Sequence, residues 1–112
     1  MGLADESYVY VTTTGRVSGL PRRIEIWFVL HLGLIYIFAE HREKAHWVQN
    51  IAKNPRVSIQ LAGREFEATA RILDERNDAD LWKTTQDLAR AKYEWGDGLP
   101  VEIRPDQPLP DS

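Results

Sequence analysis

The sequence contains no cysteine in its 112 residues. This absence excludes disulfide bonds, thiolate metal sites and cysteine nucleophiles together. An apolar run long enough to cross a membrane is also missing, because the longest uninterrupted one, Leu34–Ala39, has the length of a strand. The chain does not open with a basic and apolar leader. We therefore expect a cytoplasmic protein without a stable membrane anchor.

Familiar catalytic and metal-binding patterns are equally scarce. The three histidines, His31, His41 and His46, include no pair at an ordinary metal-ligand spacing, and we predict no metal site. Ser18 has no accompanying His and Asp pattern that would make it a nucleophile. Such a chain fits an enzyme whose cofactor carries out the chemistry, or a module that only binds.

Composition indicates one globular domain over residues 1–112, since 43% of the residues are hydrophobic and the length allows a modest core. The net charge of −3 is unevenly distributed. Residues 1–56 carry seven Lys or Arg and five Asp or Glu, whereas residues 57–112 carry seven and twelve. The basic first half suits a small bound anion better than a nucleic acid, which the acidic chain as a whole would repel.

Hydrophobic periodicity predicts the order β-β-β-α-β-β-α-β. This order, with hairpin connections and few helices, favours a mainly β (α+β) fold in which about six antiparallel strands form a barrel. We expect a disordered tail from about residue 105, where proline and aspartate are frequent. The predicted strands are Tyr8–Thr14, Arg22–Leu30, Leu34–Ala39, Arg56–Leu61, Arg64–Leu73 and Pro100–Arg104, and the predicted helices are Glu43–Lys53 and Asp78–Tyr93.

Two blocks of sequence suggest a binding site. The first, Thr12–Arg23, is a turn rich in Gly and Arg between two strands, and the second, Lys44–Val57, is a basic helix with a tryptophan. In an extended strand Arg22 and Arg23 point to opposite faces, and a guanidinium can bind phosphate or carboxylate through two parallel hydrogen bonds. The blocks thus offer cations to a polyanionic ligand, although a plain hairpin turn would also use Gly, Ser and Pro.

In their order and spacing these blocks resemble the deazaflavin-dependent nitroreductase family, over roughly residues 8–103. The resemblance implies a split β-barrel that binds coenzyme F420 and forms a homodimer. It also implies an oxidoreductase that passes a hydride from reduced F420 to a nitro compound, quinone or enone. Three alternatives stay open: an FMN-binding barrel of the same fold, a non-catalytic protein that sequesters a cofactor, and a barrel that has lost its cofactor.

The resemblance also implies roles for particular residues. Arg22, and secondly Arg23, would contact the anionic arm of the cofactor. Trp27 and Trp47 would border its ring, although barrel packing or a dimer contact explains Trp47 equally well. The proton donors would be Tyr93, in an Ala91-Lys92-Tyr93 sequence similar to one in the family, and Tyr36. The residues expected to hold the phosphate and the acidic tail are Ala39, Glu40, His41, Arg42, Lys44 and Ala45.

Glu40 departs from the family pattern, which is often rich in Ser and Gly at this point. A carboxylate beside a phosphate is unfavourable. We therefore expect Glu40 either to face away from the anionic arm or to pair with Arg42.

Overall fold

Alternating apolar residues form seven strands in the computed structural model, which describes residues 2–110. The strands are β1 (Val9–Thr14), β2 (Pro21–Ile26), β3 (Phe28–His31), β4 (Leu34–Ala39), β5 (Arg56–Leu61), β6 (Arg64–Ile72) and β7 (Leu99–Pro105). The α-helices are α1 (His46–Lys53) and α2 (Ala79–Tyr93), and short 3-10 helices span Leu3–Asp5 and Arg42–Lys44.

The sheet curls because its two edge strands are consecutive in the chain. The strand order is β2-β1-β5-β6-β7-β4-β3, and each neighbouring pair is antiparallel. Only Trp27 separates β2 from β3, so the sheet must curl until its edges meet there. The predicted mainly β fold with two helices is confirmed.

The strand count differs from the prediction for the same reason. The segment Arg22–Leu30, expected to be one strand, breaks at Trp27, and its first half pairs with β1 and its second half with β4. At the break, the N–H of Phe28 donates to the hydroxyl of Tyr93 at 3.2 Å. The carbonyl of Phe28 accepts a hydrogen bond from Lys92 Nζ at 3.1 Å. Side chains of α2 thus hold the backbone where the ladder changes partners.

The core has two parts, one inside the barrel and one under α2. Strand β4 belongs to both, since Ile35 and Ile37 lie in the barrel interior while Tyr36 and Phe38 pack toward α2. Both faces of this strand are buried, as its uniformly apolar sequence predicted. Full burial of each such side chain contributes about 1.5–3 kcal/mol.

One detail of the predicted elements needs correction. The helix expected over Glu43–Lys53 begins instead with the 3-10 turn, and Ala45 then adopts an extended conformation (φ −64°, ψ 134°) before α1 starts.

The disordered tail expected from about residue 105 stays a prediction. Its first residues have defined contacts: Pro105 belongs to β7, and Asp106 pairs with Arg56 at 2.7 Å. The N–H of Asp106 donates to the carbonyl of Glu67, and Leu109 packs against the core.

No helix within residues 2–110 has the length and apolar character that a membrane span requires.

Asp78, which precedes α2, links that helix to the sheet. Its carboxylate accepts the N–H of Asp74 at 2.8 Å and pairs with Arg71, with both oxygens 3.1 Å from Nη1. The hydrogen bond from Asp74, followed by the contact with Arg71, lowers the pKa of Asp78. A lowered pKa in the folded state means stabilisation that is complete above the ordinary carboxyl pKa of about 3.9. It is lost as the pH falls through the folded value.

We therefore predict that Asp78→Asn flattens the acid limb of the stability profile. In urea unfolding from about pH 6 to about pH 3, the wild-type protein should lose more stability than the variant does. Asp80→Asn, which neutralises an exposed carboxylate in the first turn of α2, should follow the wild-type slope. Superimposable profiles for wild type and Asp78→Asn would contradict the assignment.

Candidate functional site

Two adjoining cavities open on the side of the barrel where β2 faces α1. The larger measures about 890 Å³ and the second about 540 Å³. They share a wall made of His41, Ala45 and Trp47. The other residues of the larger cavity are Gly15, Arg16, Val17, Ser18, Arg22, Ile24, Lys44, His46 and Asn50. The second cavity is completed by Tyr8, Glu25, Ile26, Trp27, Phe38, Glu40 and Trp95.

The two cavities carry opposite charge. Arg16, Arg22 and Lys44 line the larger one, and no described residue of its wall is acidic. Glu25 and Glu40 line the second, and none of its described wall residues is a lysine or arginine. An elongated ligand with one anionic end therefore has one favourable orientation across the shared wall.

A buried amide fixes the loop over the larger cavity. Asn50, which is 4% exposed, accepts hydrogen bonds at Oδ1 from the N–H of Arg16 at 3.1 Å and from Arg16 Nη1 at 2.9 Å. Its Nδ2 donates to Thr13 Oγ1 at 3.1 Å. The residue therefore ties α1, the end of β1 and the following loop to one another, and all its bonds are internal.

The same loop is fixed from the helix side by His46. Arg16 Nη2 lies 3.1 Å from His46 Nδ1. Because a guanidinium only donates, Nδ1 must accept, which places the proton of a neutral His46 on Nε2. Gly15 is required at the base of the loop, since a Cβ there would lie 2.8 Å from Ser18 Oγ and 3.1 Å from the carbonyl oxygen of Leu20.

The adjacent arginines of β2 have different surroundings, as the alternation of a strand requires. Arg22 lines the larger cavity and has no hydrogen-bond or ion-pair partner within residues 2–110. Arg23 points to the other face, where its guanidinium lies 4.3 Å from the centre of the Tyr10 ring and donates to Gln60. Arg22 is thus the one of the two whose donors are free for a ligand.

The start of α1 adds backbone donors to the shared wall. Ala45, the N-cap residue, contributes no side-chain hydrogen bond. The N–H groups of His46, Trp47 and Val48 consequently have no acceptor in the described part of the chain. Together with the helix dipole, such groups favour an anion.

Trp27 forms a wall of the second cavity and is held from behind. Its ring stacks on Tyr93 with centroids 4.5 Å apart and planes inclined by 2°, and it meets Trp95 edge-on at 6.3 Å. The Tyr93 hydroxyl oxygen also lies 2.9 Å from the carbonyl oxygens of Ser7 and Phe28. Because 40% of Trp27 remains exposed, the stacked pair presents a flat apolar surface to the cavity.

Seven of the residues predicted from the sequence line these cavities. Arg22 and Lys44 line the larger one, Trp27 and Glu40 the second, and His41, Ala45 and Trp47 both. Glu40 therefore lies on the wall away from the three cations, one of the two arrangements expected for it, and it does not pair with Arg42.

Three other predicted binding residues, Arg23, Ala39 and Arg42, line neither cavity. Arg23 has been described above. Ala39 is buried at 1% exposure and offers no side chain to a ligand. Arg42 donates to the carbonyl of Asp97 at 3.1 Å, and its guanidinium lies 5.8 Å from the centre of the Trp82 ring. Neither residue is part of a cavity wall.

The two tyrosines expected to donate protons do not line either cavity. Tyr36 is buried and donates to Glu102 at 2.9 Å, and burial, followed by this bond, raises its pKa. Burial likewise raises the pKa of Tyr93. Both phenols therefore hold their protons tightly, and their donor role stays a prediction, whereas the contacts of Tyr93 indicate that it positions Trp27.

Among the wall residues that sequence reasoning did not single out, three are important for the argument. Arg16 and Asn50 organise the larger cavity, and Tyr8 lines the second with 49% of its surface exposed. The signal for Asn50 was a polar residue between the buried Val48 and Ile51 of α1. No comparable signal distinguished Tyr8 from the other tyrosines.

We predict that Asn50→Ala lowers the free energy of unfolding by about 2–3 kcal/mol. The substitution removes the partner of the buried Thr13 hydroxyl and of two Arg16 donors. Urea unfolding measures this effect. Asn77→Ala, at an exposed position whose side chain makes no hydrogen bond in the described structure, should change stability by less than about 0.5 kcal/mol. Equal effects of the two substitutions would refute the role of Asn50.

Tyr93→Phe tests the support of Trp27. The phenyl ring keeps the stack, but the N–H of Phe28 loses its acceptor, and we expect a loss of about 1–3 kcal/mol. Thermal or urea unfolding is the readout. Tyr8→Phe is the control because that hydroxyl has no partner within residues 2–110, and it should be nearly neutral. A neutral Tyr93→Phe would mean that the hydroxyl does not hold the strand break.

Comparison with solved structures supports the fold. The chain is similar to an F420-H2 dependent reductase, FDR-A, at 28% identity and a TM-score of 0.63, with 88% of this chain and 94% of that one covered. A protein described as a domain-swapped dimer matches at 28% identity and a TM-score of 0.63, covering 89% and 81%. The heme storage protein HutZ of Vibrio cholerae, at 18% identity and a TM-score of 0.76, covers 97% and 88% and shows the fold alone.

The sequence resemblance is confirmed by a family model. The model described as F420H(2)-dependent quinone reductase matches residues 3–104, which include both motif blocks and every wall residue of the two cavities. The chain therefore belongs to the F420H(2)-dependent quinone reductase family.

Proposed function

We propose that this protein binds coenzyme F420 across the two cavities and acts as a reductase of electron-poor organic compounds, such as nitro compounds, quinones or enones. When bound in its reduced form, F420 supplies a hydride to the acceptor. The protein binds and orients both molecules. The observation that carries the proposal is the cationic cavity that adjoins a cavity with aromatic walls.

The donors of the larger cavity suit a ligand with several negative charges. The side-chain donors of Arg22 and Lys44 have no partners within the described residues, and the first turn of α1 offers free N–H groups beside them. A phosphate with an acidic tail would use all of these groups, whereas the single phosphate of FMN would leave some of them unpaired. The donor set therefore favours F420 over FMN.

The shared wall suits the ring of the cofactor. Trp47 is half-buried and borders both cavities, so a ring beside it would have its anionic arm toward Arg22 and its reactive side toward Trp27. Flat apolar walls with few polar groups are typical of sites for planar cofactors. Trp27 and Trp47 would then border opposite ends of the reaction space.

We also propose that the protein is a homodimer. The loop over the larger cavity exposes Val17 at 94% and Leu20 at 56%, and Val17 belongs to the cavity wall. A second copy would cover these apolar side chains and complete the cavity. The related structure described as a domain-swapped dimer agrees with an assembly of two chains. Sedimentation of the purified protein measures its oligomeric state directly.

A pair of adjacent arginines provides a matched test of F420 binding. Arg22→Ala should weaken binding about tenfold or more, because removing one charge-assisted hydrogen-bonding partner costs about 1.5–3 kcal/mol. Arg23→Ala removes the same charge from the opposite face of β2 and should bind nearly as the wild type does. Fluorescence titration with oxidised F420, repeated at higher salt, gives the dissociation constants.

The same titration separates the alternatives. Tighter binding of FMN than of F420 would indicate the FMN barrel. F420 binding without reduction of any nitroaromatic, quinone or enone would indicate a protein that only sequesters the cofactor. If neither cofactor binds saturably, or if both arginine variants lose affinity equally, the proposed site is wrong.

A further inference from the structure

We propose that the second cavity, defined above by Trp27 and its neighbours, is the acceptor site and that it selects acceptors by charge. It would take flat aromatic acceptors that are neutral or cationic and would disfavour anionic ones. This inference rests on the proposed function, and it adds the class of acceptor to it.

The walls determine the shape of the acceptor. Five of the wall residues are aromatic, and Trp27 is backed by the parallel ring of Tyr93 at 4.5 Å. A planar ring can stack on the exposed side of Trp27 without any rearrangement of that support. The volume of about 540 Å³ is adequate for a bicyclic or tricyclic ring system.

The carboxylates determine the charge of the acceptor. The side chain of Glu40 has no hydrogen-bond or ion-pair partner within residues 2–110, and Glu25, which lies close enough to Tyr10 to raise its pKa, forms no ion pair there. His41 is the one basic residue among the described residues of this wall. An anionic substituent in this cavity would therefore meet two negative charges in a partly apolar space.

The nearby cations have other partners. Arg23, on the same face of β2 as Glu25, donates to Gln60, and its guanidinium lies over the Tyr10 ring. Lys92 Nζ donates to the carbonyls of Glu6 and Phe28 at 2.6 and 3.1 Å and lies 4.0 Å from the centre of the Phe28 ring. Arg42 is bound to the carbonyl of Asp97. Arg16, Arg22 and Lys44 line the other cavity, where the anionic arm of the cofactor would neutralise them.

The test compares three 1,4-naphthoquinones that differ only at the end of one saturated side chain, which carries a trimethylammonium, a hydroxyl or a sulfonate group. The saturated spacer keeps the reduction potential of the ring nearly constant. Quenching of tryptophan fluorescence gives the affinities without turnover, since three tryptophans line the cavity. The measurement is made with and without bound F420, and kcat/KM is measured with reduced F420.

We expect the sulfonate to bind about tenfold more weakly than the hydroxyl compound, and the ammonium compound at least as tightly as the hydroxyl compound. The double variant Glu25→Gln/Glu40→Gln should reduce this discrimination to about twofold. Glu65→Gln/Glu67→Gln, which changes the same charge at exposed positions of β6 outside both cavities, should retain it. Circular dichroism confirms that both double variants are folded.

Three results would overturn the inference: equal affinities of the wild type for the three compounds in the presence of F420, full discrimination in Glu25→Gln/Glu40→Gln, or absence of any quinone binding with and without F420. These results are distinct from failure of the proposed function, which is seen when F420 itself does not bind.

Discussion

The clamp on the backbone of Phe28 is the constraint on which the barrel and the second cavity both depend. Tyr93 and Lys92, adjacent on α2, bond to the N–H and carbonyl of Phe28 at the point where one extended segment leaves β1 and joins β4. The backbone groups that a strand break would otherwise leave unsatisfied are thereby paired. The same break leaves Trp27 between two strands, so the contact that closes the barrel also exposes the cavity wall.

The larger cavity depends on a second set of hydrogen bonds, which fixes the loop above it. A loop with two glycines would be mobile over a cationic cavity, but the buried amide of Asn50 accepts from both the backbone and the guanidinium of Arg16. Immobilising the loop before a ligand arrives lowers the entropy cost of binding. Arg16 is consequently a structural cation, whereas Arg22 and Lys44 keep their donors free. Of the three cations in this wall, Arg16 fixes the loop, and the other two have donors that a ligand can use.

The sequence predicted the elements whose side-chain pattern repeats along the chain. It failed where contacts between residues far apart in the chain determine the structure. Alternation placed β5 correctly, because inward and outward side chains repeat within the strand, and a short run of apolar residues placed β4, which is buried on both faces. The break at Trp27 leaves no local signature, since its cause lies in α2, more than 60 residues further along the chain. Alternation also predicted that Arg22 and Arg23 diverge, but only the pairing of β2 with β1 determines which of them faces α1. For Tyr93 the motif identified the residue, its contacts show that it supports Trp27, and its role as proton donor stays a prediction.

The separation of charge between the cavities bears on how a polyanionic cofactor can enter. In the reverse orientation its acidic tail would lie against Glu25 and Glu40, and its ring would cover Arg22 and Lys44 without pairing them. Two effects oppose that orientation. Like charges repel each other, and cations that lose their water without gaining a partner raise the free energy of the complex. Under the proposed function, Glu40, the residue that departs from the family pattern, would contribute to the orientation of the cofactor as well as to the choice of acceptor. One acidic wall would impose both selections because cofactor and acceptor would meet at the residues that the two cavities share.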